Sequence, residues 1–181
     1  MDVQSKGRRD WRPRLAKLMR VGKAWPFPLK AFWQHPPLGW PWPTGLPCSP
    51  TLRDLYTLCD GGSSFGGLFC WLRLRELKPA AKKMVDQVLQ DRDSFGAEQQ
   101  PFVPGCHLVL GEDSDGFPHV WNAETKLLAC YQPATEGGRG WEPLNVTLEA
   151  YLEGLFFPEP GAAFVAGPLW LEALRQLDEP A

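Results

Sequence analysis

Apolar residues recur at helical spacing in five stretches of the chain: residues 8–20, 51–59, 76–90, 148–156 and 168–177. The stretch 148–156 shows the clearest pattern, because its apolar residues occupy positions i, i+3, i+4, i+7 and i+8. Ser49 and Thr147 precede two of these stretches and can cap the first backbone N–H groups of a helix. The spacing therefore predicts five amphipathic helices.

Short apolar runs typical of strands lie between the helices. Residues 68–74 predict a buried strand after the glycine-rich turn 63–67. Three later runs are joined by short polar turns and predict an antiparallel meander: residues 106–110, 118–122 and 127–132. Helices combined with such a meander predict an α+β fold.

The triplet Asp60, Gly61 and Gly62 follows the helix 51–59. A glycine in the left-handed conformation closes a helix at little cost, so we expect this pair to end the helix. Neither G-x-x-x-x-G-K-[ST] nor G-x-G-x-x-G occurs, and a helix precedes these glycines where a phosphate loop would have a strand. No phosphate site is predicted.

The first 47 residues differ in composition from the rest. Residues 1–30 carry nine basic and two acidic residues, a charge of +7, so a net charge of −2 for the chain leaves −9 on the remainder. Residues 25–50 contain eight prolines and four tryptophans, which prevents a continuous helix or central strand. We divide the chain into residues 1–47, a basic helix with a Pro/Trp-rich wrapping segment, and residues 48–181, an α+β domain with a C-terminal helical extension.

The N-terminal segment has several interpretations. The apolar stripe of its helix suits packing on its own domain. It also suits contact with nucleic acid or a membrane surface. A third explanation is that translation starts downstream of this helix, so that the segment is not part of the protein. A solvated linker seldom carries four tryptophans, so we expect the Pro/Trp-rich segment to cover the domain's own apolar surface. Docking into an aromatic groove of a partner is the alternative.

Composition favours one soluble domain. A chain of 181 residues with 44% hydrophobic residues buries a sizeable core, and it has no uncharged apolar run of about 18 residues that would span a membrane. Basic residues interrupt every apolar patch near the N-terminus, so no signal core forms. The five cysteines are odd in number and widely spaced, which favours reduced thiols in a cytoplasmic protein.

Candidate chemistry is sparse. The acidic stretch 112–116 lacks the spacing of a calcium loop, because Gly111 and Asn122 would stand where the first carboxylate and the final glutamate are required. An acidic hairpin turn explains it better.

Three histidines are present: His35, His107 and His119. A zinc site would need several of them with closely paired cysteines, which do not occur. As an alternative, Cys106 or Cys130 could pair with His119 as the nucleophile and base of a thiol enzyme. We expect a non-catalytic protein with no cofactor and no metal.

The order of these elements resembles the SUKH superfamily over about residues 48–157. The helix LRDLYTLCDGG, followed by FGGLFCWLRLREL, is similar to the opening motif, in which a helix ends in a polar-Gly-Gly triplet before the first strand. HLVLGEDSDGFPHVWNAETKLL resembles the central hairpin, and TLEAYLEGLF resembles the closing helix, with Trp141 as the aromatic residue before it. Asp60 departs from the pattern, since asparagine is more usual there.

The resemblance implies a central, mostly antiparallel sheet flanked by helices. It also implies protein binding: many bacterial members look like immunity proteins that neutralise toxins, often nucleases, and fungal relatives are similar to regulators of cell-wall synthesis. An acidic body would attract a basic toxin domain. The candidate partner contacts are four acidic residues and two tryptophans: Asp60, Glu112, Asp113, Asp115, Trp121 and Trp141.

Two alternatives remain beside the immunity function. One is nucleic-acid binding through the basic, Trp-bearing arm, which the negative field of the body disfavours. The other is a regulatory scaffold in cell-wall or signalling control. Each acidic candidate taken singly is equally consistent with a plain solvated surface.

Overall fold

The computed structural model describes residues 12–13, 15–17, 37–64, 69–95, 100–133 and 140–156. A six-stranded sheet forms the centre of this part of the chain, and its strands lie side by side in chain order. Every neighbouring pair is antiparallel. The predicted α+β fold with an antiparallel central sheet is confirmed.

Ten elements follow one another between residues 50 and 156. In chain order they are α1 (Pro50–Leu58), β1 (Gly62–Ser64), β2 (Phe69–Trp71), a single 3-10 turn (Leu74–Glu76), α2 (Leu77–Phe95), β3 (His107–Asp113), β4 (Pro118–Asn122), β5 (Leu127–Tyr131), β6 (Trp141–Thr147) and α3 (Leu148–Phe156).

Both predicted helix caps are present. Ser49 Oγ accepts a hydrogen bond from the Leu52 N–H at 3.1 Å, and Thr147 Oγ1 accepts one from the Ala150 N–H at 3.3 Å. Pro50 occupies the first turn of α1, where no backbone donor is needed. These contacts fix the starts of α1 and α3.

The glycine pair after α1 has a different role from the predicted one. The helix ends at Leu58, and Cys59 is extended with a φ of −153°, so no left-handed glycine closes α1. Gly61 instead has a φ of +77° in the turn into β1. A Cβ on Gly61 would lie 2.8 Å from the backbone nitrogen of Arg73, so both the conformation and the space require glycine.

Two strands lie where the sequence predicts no strand. β1 occupies part of the glycine-rich turn, and β6 occupies the segment before α3. Both are edge strands whose residues lack a regular apolar alternation, which is why the hydrophobic pattern did not predict them. β2 is shorter than the predicted strand 68–74, and it exposes Cys70.

Two hydrophobic clusters cover the two faces of the sheet. Along β4, Val120 points to one face and its neighbours to the other, as a strand requires. The face that packs against α1 and α3 buries Leu52, Leu108, Trp121, Leu128 and Leu152. The face that packs against α2 buries Met84, Val88, Val109, Val120 and Tyr131.

Part of the N-terminal segment packs on this domain. Leu15 is fully buried in the cluster that contains α1, and Arg12 Nε lies 2.6 Å from Asp54 Oδ2 of that helix. Trp42 is partly buried against the same cluster, whereas Trp40 is 50% exposed. These contacts support the interpretation that the N-terminal segment packs on its own domain at the described residues Arg12, Leu15 and Trp42.

The cysteines and the membrane-span prediction can be compared with the structure, whereas two other predicted features cannot. The five cysteines all lie within the described ranges, and all are free thiols. The predicted helix 168–177 and three tryptophans of the N-terminal segment, Trp11, Trp25 and Trp33, lie outside those ranges. Within them, every helix is too short or too polar to cross a membrane.

Candidate functional site

The β3–β4 hairpin carries three of the predicted contact residues. Glu112 and Asp113 end β3, and Asp115 is exposed in the turn. Asp113 Oδ1 accepts hydrogen bonds from the N–H groups of Asp115 at 3.0 Å and Phe117 at 2.9 Å. The Gly116 N–H donates to the Asp113 carbonyl oxygen at 3.0 Å. The carboxylate and the backbone carbonyl oxygen of Asp113 therefore hold the turn together.

Glu112 lies at the surface beside that turn, where a partner can contact its carboxylate. Its Oε1 lies 3.5 Å from Lys83 Nζ on α2, and the two side chains are 44% and 77% exposed. An exposed pair of this kind contributes about 0–1 kcal/mol. A cation on a partner can therefore compete with Lys83 for Glu112.

Two predicted contact residues are buried inside the domain. Asp60 has no exposed surface; its Oδ1 accepts from the Leu74 N–H at 2.8 Å, and its Oδ2 lies 3.4 Å from Arg73 Nε. Trp121 is 2% exposed and belongs to the core. Neither side chain reaches the surface in this conformation, so both act within the fold: Asp60 ties the end of α1 to the chain after β2.

Trp141 belongs to a separate aromatic group. Its ring lies parallel to Phe102, with centroids 6.4 Å apart, and stacks on His107 at 6.0 Å. Its Nε1 donates to the Gln100 carbonyl oxygen at 2.8 Å. Trp141 therefore holds the segment after residue 99 against β6.

A buried polar cluster lies behind the hairpin. His119 and Cys130 stand directly opposite each other on β4 and β5, and both are 5% exposed. His119 Nε2 lies 3.4 Å from Asp113 Oδ2, and its Nδ1 lies 2.6 Å from the Tyr151 hydroxyl on α3. One polar atom from each of Asp113, His119 and Cys130 lies within 4.8 Å of the others. Phe69 packs beside the imidazole, with ring centroids 5.1 Å apart.

Burial sets the protonation of this cluster. It lowers the pKa of His119, although the hydrogen bond and negative charge of Asp113 oppose the change. Burial, together with the smaller effect of the negative charges of Asp113 and Glu142, raises the pKa of Cys130 to about 12. A neutral imidazole and a protonated thiol are therefore expected at neutral pH. Activated cysteines have the opposite property, a lowered pKa in an accessible, electropositive site.

The structure brings His119 together with one of its two predicted thiol partners. Cys130 lies beside it, whereas Cys106 precedes the other end of β3 and its Sγ bonds to Glu124 Oε1 at 3.2 Å. That hydrogen bond raises the pKa of Cys106.

The sequence pattern did not predict the whole cluster, although the spacing of two residues indicates that His119 and Cys130 face each other. A four-residue turn at 123–126 places residue 122 opposite residue 127, and counting back along both strands places His119 opposite Cys130. Asp113 and Tyr151 have no such signal, because they reach the cluster from the end of β3 and from α3.

No family model, curated protein or solved structure matches this chain. Conclusions about function therefore depend on the hairpin and the cluster behind it.

Proposed function

We propose that this chain is a non-catalytic, cytoplasmic protein-binding domain of the SUKH type that neutralises a basic toxin domain by direct contact through the β3–β4 hairpin. The supporting observation is the position of the acidic groups. Glu112 and Asp115 lie at the surface on either side of Asp113, whose carboxylate holds the turn. A turn that is ordered before binding loses less conformational entropy when a partner docks.

Net charge supports a cationic partner. The chain outside residues 1–30 carries −9, and a field of that sign speeds encounter with a basic protein and orients it. The resemblance to SUKH immunity proteins agrees with this partner class, since many of those proteins bind nuclease toxins.

Two observations favour binding over the alternatives. The thiol next to a histidine, Cys130, is buried and has a raised pKa, which does not suit nucleophilic catalysis. In the basic arm, Arg12 bonds to Asp54 and Leu15 is buried in the core. These two arm residues contact their own domain, which favours a structural role for the arm over nucleic-acid binding.

Affinity capture from the native host tests the proposal. The full chain, a hairpin variant (Glu112→Gln with Asp115→Asn) and a control variant (Asp86→Asn with Asp93→Asn) serve as baits at low ionic strength. The control removes the same charge from exposed positions on α2. We expect the wild type and the control to retain one basic protein that salt releases, and the hairpin variant to lose it.

Co-expression then tests toxin neutralisation. The captured protein should inhibit growth when expressed alone, and the wild-type chain should restore growth. Equal capture by the hairpin variant would exclude the hairpin as the binding surface. A captured partner that is harmless to cells would instead favour the regulatory-scaffold alternative.

A further inference from the structure

The cluster behind the hairpin combines three side chains that bind transition metals: a carboxylate, an imidazole and a thiol. They come from three consecutive strands, since Asp113 ends β3, His119 lies on β4 and Cys130 on β5. Their ligand atoms lie within 4.8 Å of one another. We propose that Asp113, His119 and Cys130 form a binding site for Zn²⁺.

The spacing of the ligand atoms suits a tetrahedral ion. Zn–N and Zn–O bonds of about 2.0–2.2 Å at a tetrahedral angle separate nitrogen and oxygen by about 3.4 Å. His119 Nε2 and Asp113 Oδ2 are 3.4 Å apart. A Zn–S bond of about 2.3 Å places sulfur about 3.6 Å from either atom. The ligand atoms of the three residues already lie within 4.8 Å of one another, so small side-chain movements complete the coordination.

The surroundings of His119 provide the outer contacts that zinc sites use. A histidine that binds metal through one nitrogen usually donates the other N–H to a fixed partner, which sets the tautomer and the ring orientation. With Nε2 on the metal, Nδ1–H points to the Tyr151 oxygen at 2.6 Å. Phe69 packs beside the same ring and supplies an apolar wall.

The donor set selects the metal. Sulfur and nitrogen ligands favour Zn²⁺, whereas Mg²⁺ and Ca²⁺ require oxygen. Binding forms a metal–sulfur bond and releases the Cys130 proton to solvent, so Zn²⁺, one thiolate and one carboxylate sum to zero charge. A buried site tolerates a neutral set better than an isolated ion. Asp113, whose side chain is 26% exposed, leaves a route for the ion and for one water as fourth ligand.

The site goes beyond the proposed function and does not depend on the identity of the partner. Asp113 uses Oδ2 toward the metal and Oδ1 toward the turn, so the bound ion would also stiffen the hairpin.

Cobalt substitution tests the site directly. The full chain is stripped of metal under reducing conditions and titrated with Co²⁺ alone, which takes up zinc geometries and reports a thiolate ligand through a charge-transfer band. We expect one Co²⁺ per chain, with that band and the intense visible bands of a tetrahedral ion. Cys130→Ala should abolish the charge-transfer band, and Cys106→Ser, at the far end of β3, should leave it unchanged.

A second readout does not require the variant to fold. X-ray absorption of the zinc-loaded wild type should show one sulfur and otherwise nitrogen or oxygen ligands. The proposal is overturned by a missing charge-transfer band, by a band that survives Cys130→Ala, by its loss in Cys106→Ser, or by a zinc shell with no sulfur or with several.

Discussion

Asp113 and His119 join the surface of this domain to its interior, with Asp113 Oδ2 3.4 Å from His119 Nε2 across the β3–β4 hairpin. The other oxygen of Asp113 accepts the N–H groups of Asp115 and Phe117. One carboxylate thus links the exposed acidic turn to the buried cluster. A substitution in the turn should therefore alter the cluster, and a substitution in the cluster should alter the turn.

Asp113→Ala should loosen the turn without unfolding the domain. It removes two hydrogen bonds, one exposed and one partly buried, and a typical hydrogen bond contributes about 0.5–1.5 kcal/mol. Chemical denaturation should show a loss of about 2 kcal/mol, with faster amide hydrogen exchange at Asp115 and Phe117. Asp115→Ala, which removes an exposed side chain, should stay within about 0.5 kcal/mol of the wild type. Equal effects of the two changes would contradict this role of Asp113.

Gly111→Ala should destabilise the sheet strongly. A Cβ at this position would lie 2.7 Å from the Trp71 Cα and closer still to the Cys70 carbonyl oxygen, and both atoms belong to the neighbouring backbone. Strands cannot separate locally without losing their hydrogen bonds, so we expect a loss of about 3 kcal/mol or more in the free energy of unfolding. Gly105→Ala is the matched control, because a Cβ there meets no atom within 4 Å. A Gly111→Ala protein as stable as that control would show that β2 and β3 are not paired as described.

Asp60→Ala should lower stability because Asp60 acts inside the fold. The change leaves the Leu74 N–H without its acceptor and Arg73 without its buried counter-ion. Loss of such contacts costs about 1–3 kcal/mol, whereas Asp86→Ala on the exposed face of α2 should cost less than about 0.5 kcal/mol. Thermal and chemical denaturation of both variants provide the comparison. If Asp60→Ala proved as stable as Asp86→Ala, Asp60 would return to consideration as a surface contact.

His107 should make stability depend on pH. Its Nδ1 accepts a hydrogen bond from the Val103 N–H at 2.9 Å, and burial lowers its pKa despite the opposing charge of Glu124. As the pH falls through about 6.5, the unfolded chain therefore binds this proton before the folded chain does. The contribution of His107 is complete above that pH and decreases as the pH falls, by at most about 1.4 kcal/mol per unit.

The comparison with His107→Gln isolates this contribution. Glutamine does not titrate, so the variant should show a flatter decline in unfolding free energy than the wild type as the pH falls below about 6.5. Identical slopes for the two proteins would mean that His107 binds its proton equally in the folded and unfolded chains.

Much of the scaffold follows from local patterns in the sequence. Ser49 and Thr147 predict the helix starts, and the periodicity of residues 148–156 and 118–122 predicts their elements, because capping and burial on one face are local properties. The edge strands β1 and β6 are held by pairing with distant segments, which local apolar periodicity does not report. For the same reason Asp60 looked like a surface acid, although its partners lie 13 and 14 residues away.

The central claim is that the acidic hairpin binds a basic protein. Calorimetric titration of the captured partner at low ionic strength, with the wild-type chain, the Glu112→Gln, Asp115→Asn variant and the Asp86→Asn, Asp93→Asn control, measures this directly. If each of the two charged contacts contributes about 0.7 kcal/mol, their loss should raise the Kd of the hairpin variant about tenfold, while the control should stay within about twofold. Equal Kd values for the hairpin variant and the control would contradict the claim.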